Sequence, residues 1–234
     1  MARLINANCC FDAWQIVSNI ILTNGPQDNL LITIYKPCDF QSIASWLKQR
    51  NPKLFLAKGD SIRHVINTIM PYNLRSYFGN RTDFYNKYRQ VYLKSNNRSW
   101  GTYFQRLISY DNHFQNNGQN QLENAINALN GNSPQRHYIF FHLTDVHLGS
   151  NVRPMGAPCW HYGEITINDD QSINLVAVYR NHDYFNKAFG NFIGLAKLLE
   201  FICTATNRRP AQLIIHSIHA YNGGTRNSFA NLIA

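Results

Sequence analysis

Acidic residues are scarce in this chain of 234 residues: 13 Asp and Glu stand against 22 Lys and Arg, a net charge of +9. That imbalance disfavours a cationic partner and favours one that carries phosphate. No stretch approaches the roughly 18 consecutive apolar residues a membrane span requires, and the opening Met1 to Trp14 has neither a basic leader nor a small-residue cleavage site. A chain that stays off the membrane, in the cytoplasm, is the expectation. Cysteine is equally sparse: five residues, an odd number with no C-x-x-C pair, which excludes a disulfide framework and a cysteine zinc site. No internal repeat is visible. What is present is 44% apolar and 13% aromatic residues, enough for one core, so residues 1–234 read as a single domain.

Apolar residues at helical spacing from Asp12 to Leu22, stopped by Asn24-Gly25, predict an amphipathic helix, and Leu30 to Tyr35 predicts a strand. A second helix is expected after Asp39, ending near Pro52, and a third from Ile62 to Met70 before Pro71. Asp111 to Gln121 reads as an exposed loop, followed by a helix from Leu122 to Leu129. The second half carries four strand signals, Tyr138–Leu143, Tyr162–Ile167, Ile173–Tyr179 and Leu213–Ile218, and one long helix from Asn191 to Thr206. Strands outnumber helices there without strict alternation, which predicts α+β layers and not a doubly wound parallel sheet.

Between Tyr72 and Tyr110 aromatic residues interleave with Arg75, Arg81, Arg89 and Arg106. Such a pattern can stack bases along a single strand of nucleic acid, but tyrosine and arginine also cover a helix face by burying their stems, and the second reading is preferred. Asp145-Val146-His147 with His142, and His216 with His219, have metal-ligand character, but no carboxylate cluster completes either set, so no metal is expected.

Cys159 follows Gly156-Ala157-Pro158 and precedes a strand, a rigid placement that suits a nucleophile. Nothing beside it in sequence supplies a cation; Arg180, 21 residues on, does. An unperturbed thiol is only a few per cent thiolate at neutral pH, and lowering its pKa by about two units takes roughly 2.7 kcal/mol of preferential stabilisation. The ordered set of Pro158-Cys159, then Arg180-Asn181-His182-Asp183, then Asn191, then His219-Ala220-Tyr221 resembles the thymidylate synthase family, as does the opening Ala13-Trp14-Gln15-Ile16 with Asn24-Gly25.

That resemblance implies a two-layer α+β thymidylate-synthase-like fold with a large twisted mixed sheet, and a homodimer packed sheet against sheet. It implies that Cys159 adds to C6 of a pyrimidine, that Arg180 binds the nucleotide phosphate, that Asn191 reads the base edge and that His219 and Tyr221 hold the sugar. Asp183 would contact a reduced folate or pterin carrying a methylene group. Arg136, in Gln135-Arg136-His137, would reach the partner's phosphate where the family has two arginines. The implied activity is transfer of a one-carbon unit to C5 of a uracil nucleotide, dUMP first, through a Cys159 adduct. Asparagine at 191 suits uracil because its amide donates to O4 and accepts from N3–H.

In Ser61-Ile62-Arg63-His64-Val65-Ile66 the position matching the family's catalytic glutamate is Val65, which can neither accept nor donate a proton. Glu164 and His161 are the alternatives for that role. Trp160, Asn181 and Lys187 also depart from the family pattern, and the sequence ends 13 residues after Tyr221, short of the family's closing segment. A pyrimidine hydroxymethylase and a catalytically silent pyrimidine-nucleotide-binding or sensing protein therefore stand beside the methyltransferase.

Overall fold

The computed structural model describes residues 2–41, 59–95, 101–110, 118–132, 139–144 and 157–233. In chain order the elements are β1 (Arg3–Ala7), α1 (Cys10–Asn24), β2 (Gln27–Ile34), α2 (Gly59–Ile69), α3 (Tyr72–Arg75), α4 (Arg81–Ser95), α5 (Tyr103–Ile108), α6 (Gln121–Leu129), β3 (Ile139–His142), β4 (Trp160–Ile167), β5 (Ile173–Tyr179), β6 (His182–Asp183), α7 (Ala188–Thr206), β7 (Pro210–Tyr221) and α8 (Arg226–Ile233). The helix expected after Asp39 and most of the loop expected from Asp111 lie outside the described residues.

One seven-stranded mixed sheet runs in the order β1-β2-β7-β5-β4-β3, with β6 added on β7. β1 is parallel to β2, and β5 and β6 are parallel to β7; the other pairs are antiparallel. This is an α+β arrangement, as the strand-rich second half predicts. Directly paired residues share a face, so the register can be read across the sheet as rows. Ile5, Ile32, Ile215, Ala177, Gly163 and Phe141 form one row, and all are buried. This is the face the helices cover. Gly163 leaves room for an indole there: a Cβ on it would stand 3.0 Å from Cζ2 of Trp160.

The opposite face shows two different rows: Leu4, Leu31, His216, Val178, Tyr162 and His142, then Asn6, Thr33, Ile214, Val176, Glu164 and Phe140. These are half-buried or exposed, Leu4 by 72% and Phe140 by 41%.

α7 is the central helix. It is apolar and long enough to cross a bilayer, but 78% of that stretch is buried inside the fold, which accounts for its composition. α2 crosses it closely, because Gly190 and Gly194 present no side chain: a Cβ on either would come within 2.8 or 3.0 Å of Val65 or Ile69. Five aromatics of this stretch are interior, while Tyr77 is 82% exposed. Phe84, Tyr85, Tyr88, Tyr103 and Phe104 are buried, with Phe104 packed on Phe84 at 5.2 Å and edge-on to Tyr88 at 4.7 Å between ring centroids. The neighbouring arginines serve the protein itself: Arg81 pairs with Glu123 at 2.7 Å, Arg89 donates to the Ile108 carbonyl, and Arg75 donates to the Phe78 carbonyl. Among the described residues these contacts fit the preferred reading, in which tyrosine and arginine cover helix faces.

Candidate active site

β5 and β6 are one strand line interrupted at Arg180 and Asn181. Tyr179 pairs with Ser217 and His182 with Ala220, so three residues advance on each side of the break. At the break the Arg180 N–H leaves β7 and donates to the Cys159 carbonyl at 2.9 Å. Cys159 sits just before β4, where a register shift between Trp160 and Tyr162 marks a bulge. The phenolic oxygen of Tyr103, from α5, accepts the N–H groups of both Cys159 and Trp160 at 3.1 and 3.2 Å. The thiol is therefore held on a backbone fixed from two directions.

A cavity of about 210 Å³ opens beside it, lined by Cys159, Asp183, Asn191 and Tyr221 together with His64, Val65, Thr68, Asn181, His182 and Lys187, among others. Of the residues singled out in the sequence, these four share the wall. Arg180 lies behind it. Its Nε donates to the Pro158 carbonyl at 3.1 Å and its Nη2 to Ala157 at 3.3 Å, which ties the guanidinium to the segment carrying the thiol; Nη1 has no hydrogen-bond partner among the described residues. Burial pushes the Cys159 thiol up, and the positive charge of Arg180 is the main influence opposing that rise.

His219 is not in the wall. Its Nδ1 meets Asp28 Oδ1 at 2.7 Å and its ring stacks on Tyr221 at 5.8 Å. It abuts Tyr221 rather than the cavity itself. Asp183 lines the cavity, but its carboxylate is committed to the protein: Oδ1 accepts from the N–H groups of Phe185, Asn186 and Gly223, and Oδ2 from the Asn186 amide at 2.7 Å. Its visible work is to lock the turn into α7 and the chain after β7. Nothing in these bonds marks a contact to a folate or pterin carrier. Arg136, Asp145 and His147 lie outside the described residues.

Val65 faces the cavity where the resemblance places a glutamate, and neither alternative replaces it. Glu164 is on the open sheet face, bonded to Tyr162 Oη at 2.7 Å, and His161 does not line the cavity. His216 contacts Asn29 while His219 contacts Asp28, and no group of His, Cys, Asp and Glu that could hold a metal occurs among the described residues.

Two contributors were quoted in the sequence motif without a role. Oδ1 of Asn181 is buried in the wall with no hydrogen-bond partner among the described residues, an acceptor a ligand could satisfy. His182 is 1% exposed and joins Asn191 to Ser217. The signal for His182 was its place in a two-residue strand, where alternation points it inward, but that strand exists only because β7 is beside it. No family model matches the chain, and a search of curated proteins returns no match.

Proposed function

We propose that the cavity binds a uracil nucleotide, dUMP first, and that Cys159 activates its C5 for one-carbon transfer, the chemistry of a thymidylate-synthase-like enzyme. The observation that carries this reading is the shared wall of Cys159, Asn191 and Tyr221 with the Arg180 guanidinium tied behind the thiol. In the forward step the Cys159 thiolate forms a bond from Sγ to C6. The C5–C6 π pair moves onto C5 and O4, and Asn191 holds that edge by donating to O4 and accepting from N3–H. The enolate C5 then forms its bond to an electrophilic one-carbon unit. Loss of the C5 proton expels the reduced carrier and leaves an exocyclic methylene on C5. Addition of hydride from that reduced folate or pterin, which is oxidised, gives the methyl product, addition of water gives the hydroxymethyl product, and departure of Sγ as thiolate restores the ring. The described residues do not identify the carrier, so methyl and hydroxymethyl products both belong to this reading.

Burial holds the free thiol up, so little of it is thiolate at neutral pH, and Arg180 is the group that opposes this rise. Incubation with 5-fluoro-dUMP, with and without methylene-folate, followed by intact mass, tests the proposal. A mass increase equal to the nucleotide is expected in the native chain and absent in Cys159→Ser. No Cys159-dependent adduct under either condition counts against catalysis.

Val65 favours a second reading, a nucleotide-binding or sensing protein that keeps the base contact without proton transfer at C5. Release of tritium from 5-tritiated dUMP separates the two, since binding alone leaves that C–H bond intact. The reading also implies a two-fold dimer through the open sheet face. Its two rows contain no lysine or arginine in a chain of net charge +9, the depletion typical of an interface centre.

A further inference from the structure

The cavity wall holds a positive charge that the steps assigned to Cys159 leave unused. Lys187 lines it beside Cys159, Val65 and Asn191, and among the described lining residues it is the only lysine or arginine. Its ammonium has no ion pair or hydrogen bond among the described residues. The other titratable groups of the wall are engaged. Asp183 is committed to four protein N–H groups, and Oη of Tyr103 accepts two more. His182 meets Ser217 and Asn191 through its two ring nitrogens, and burial lowers its pKa to about 3, so it is neutral. Tyr221 stacks on His219, and His64 is not free either.

Local geometry sets where the spare charge stands. Lys187 immediately precedes α7, and its carbonyl accepts the Asn191 N–H at 2.9 Å, so the two residues are one helical turn apart on the same face. Gly190 shares that face and passes so near Val65 that a Cβ on it would stand 2.8 Å away. The ammonium, on its flexible four-carbon stem, thus belongs to the end of the cavity that Asn191 and Val65 close. Burial pushes the Cys159 thiol up and Arg180 opposes this most; Lys187 opposes it as well, which puts the ammonium within electrostatic reach of Sγ.

When Sγ adds to C6, the negative charge leaves sulfur and settles on O4, at the edge held by Asn191. A neutral amide N–H is a modest partner for an enolate oxygen, and a cationic donor is roughly twice as strong. Val65 offers nothing there. We infer that Lys187 is a catalytic residue of the pyrimidine reaction, its ammonium donating a hydrogen bond to O4 as the enolate forms. No proton changes hands: the charge returns through C5 when that carbon bonds the one-carbon unit, and the ammonium is left as it began. The inference rests on the reading of the cavity as a pyrimidine-nucleotide site.

Three measurements on the native chain and on Lys187→Met test it: the rate of Cys159 adduct formation at saturating 5-fluoro-dUMP by intact mass, the affinity for dUMP by calorimetry, and the rate of Cys159 alkylation by iodoacetamide without nucleotide. Methionine keeps an apolar stem of similar reach and removes the charge and its donors. Adduct formation is expected to slow by about a hundredfold, the loss typical of one oxyanion donor. Affinity and alkylation are expected to change by no more than about threefold, because O4 of bound dUMP is uncharged and alkylation makes no enolate. An unchanged adduct rate overturns the inference. So does a loss of dUMP affinity as large as the loss of rate, which is what an anchor for the phosphate gives, and so does an equal loss of alkylation, which is what a charge acting on the thiol alone gives. A native chain that binds dUMP without forming the adduct overturns the inference and leaves the binding reading; one that does not bind dUMP overturns the pyrimidine reading with it.

Discussion

Cys159 shows how one residue can be well placed and poorly ionised at once. Tyr103 and Arg180 hold its backbone, while burial disfavours the thiolate and Arg180 opposes that effect. The sign is fixed: a thiol with a raised pKa becomes reactive only as pH rises. Alkylation of Cys159 by iodoacetamide, followed by mass, should therefore climb with pH beyond the point at which a free thiol levels off. Arg180→Ala removes the opposing charge and should slow alkylation at a given pH by a factor of about three. A plateau near neutrality in the native chain would show that the thiol is activated without ligand. Asp183 teaches the opposite lesson. Its motif position reads as a ligand contact, but three backbone N–H groups converge on Oδ1, so Asp183→Ala should destabilise the chain by about 2 kcal/mol in urea titration, before any effect on ligand is measured.

Between elements, two contacts carry the scaffold of the site. α7 brings Asn191 to the cavity only because α2 can approach Gly190, where an added Cβ would lie 2.8 Å from both Cβ and Cγ1 of Val65. Gly190→Ala gains helix preference of about 1 kcal/mol and loses more by overpacking, for a net loss of about 1–2 kcal/mol by chemical denaturation. Gly79, with nothing within 4 Å of the equivalent position, should accept alanine without loss. The second contact is Arg81 of α4 on Glu123 of α6, where two guanidinium nitrogens and Tyr85 Oη reach one carboxylate. The hydrogen bond from Arg81 is the main reason the Glu123 carboxyl sits below its usual range. Its contribution is thus complete above the unfolded carboxylate pKa, near 4.3, and disappears as pH falls through the lower folded value. Glu123→Gln should cost about 0.5–1 kcal/mol at pH 7, because the pair is partly exposed, and that difference should vanish in acid.

For the whole molecule the open sheet face is the feature that no described element covers. If it joins two copies, the native chain sediments as a dimer, and Val176→Lys, which places a cation in the middle of the second row, gives a monomer that keeps its far-ultraviolet circular dichroism. A native monomer at micromolar concentration would remove the dimer from the proposal. The same face explains why Tyr162, Phe140 and His142 cluster with centroids 5.2–6.2 Å apart at the β3 edge.

Local patterning alone determined the helices beginning at Cys10, Gly59, Gln121 and Ala188 and the strands β3, β4, β5 and β7, because each carries its own periodicity and punctuation. β1, β6 and α8 were not legible, being short segments whose backbone partners come from distant sequence. The order of Cys159, Arg180, Asn191 and Tyr221 pointed to one site, and the parallel pairing of β5 and β6 with β7 is what gathered three of them on one wall. Only the tertiary structure turned Asp183 inward to its own turn, moved His219 onto Asp28, buried Phe84, Tyr85, Tyr88, Tyr103 and Phe104 and gave His182 two partners. The physical reason is that residue type states what a side chain can bond, whereas burial and the competing groups around it settle which bond is made.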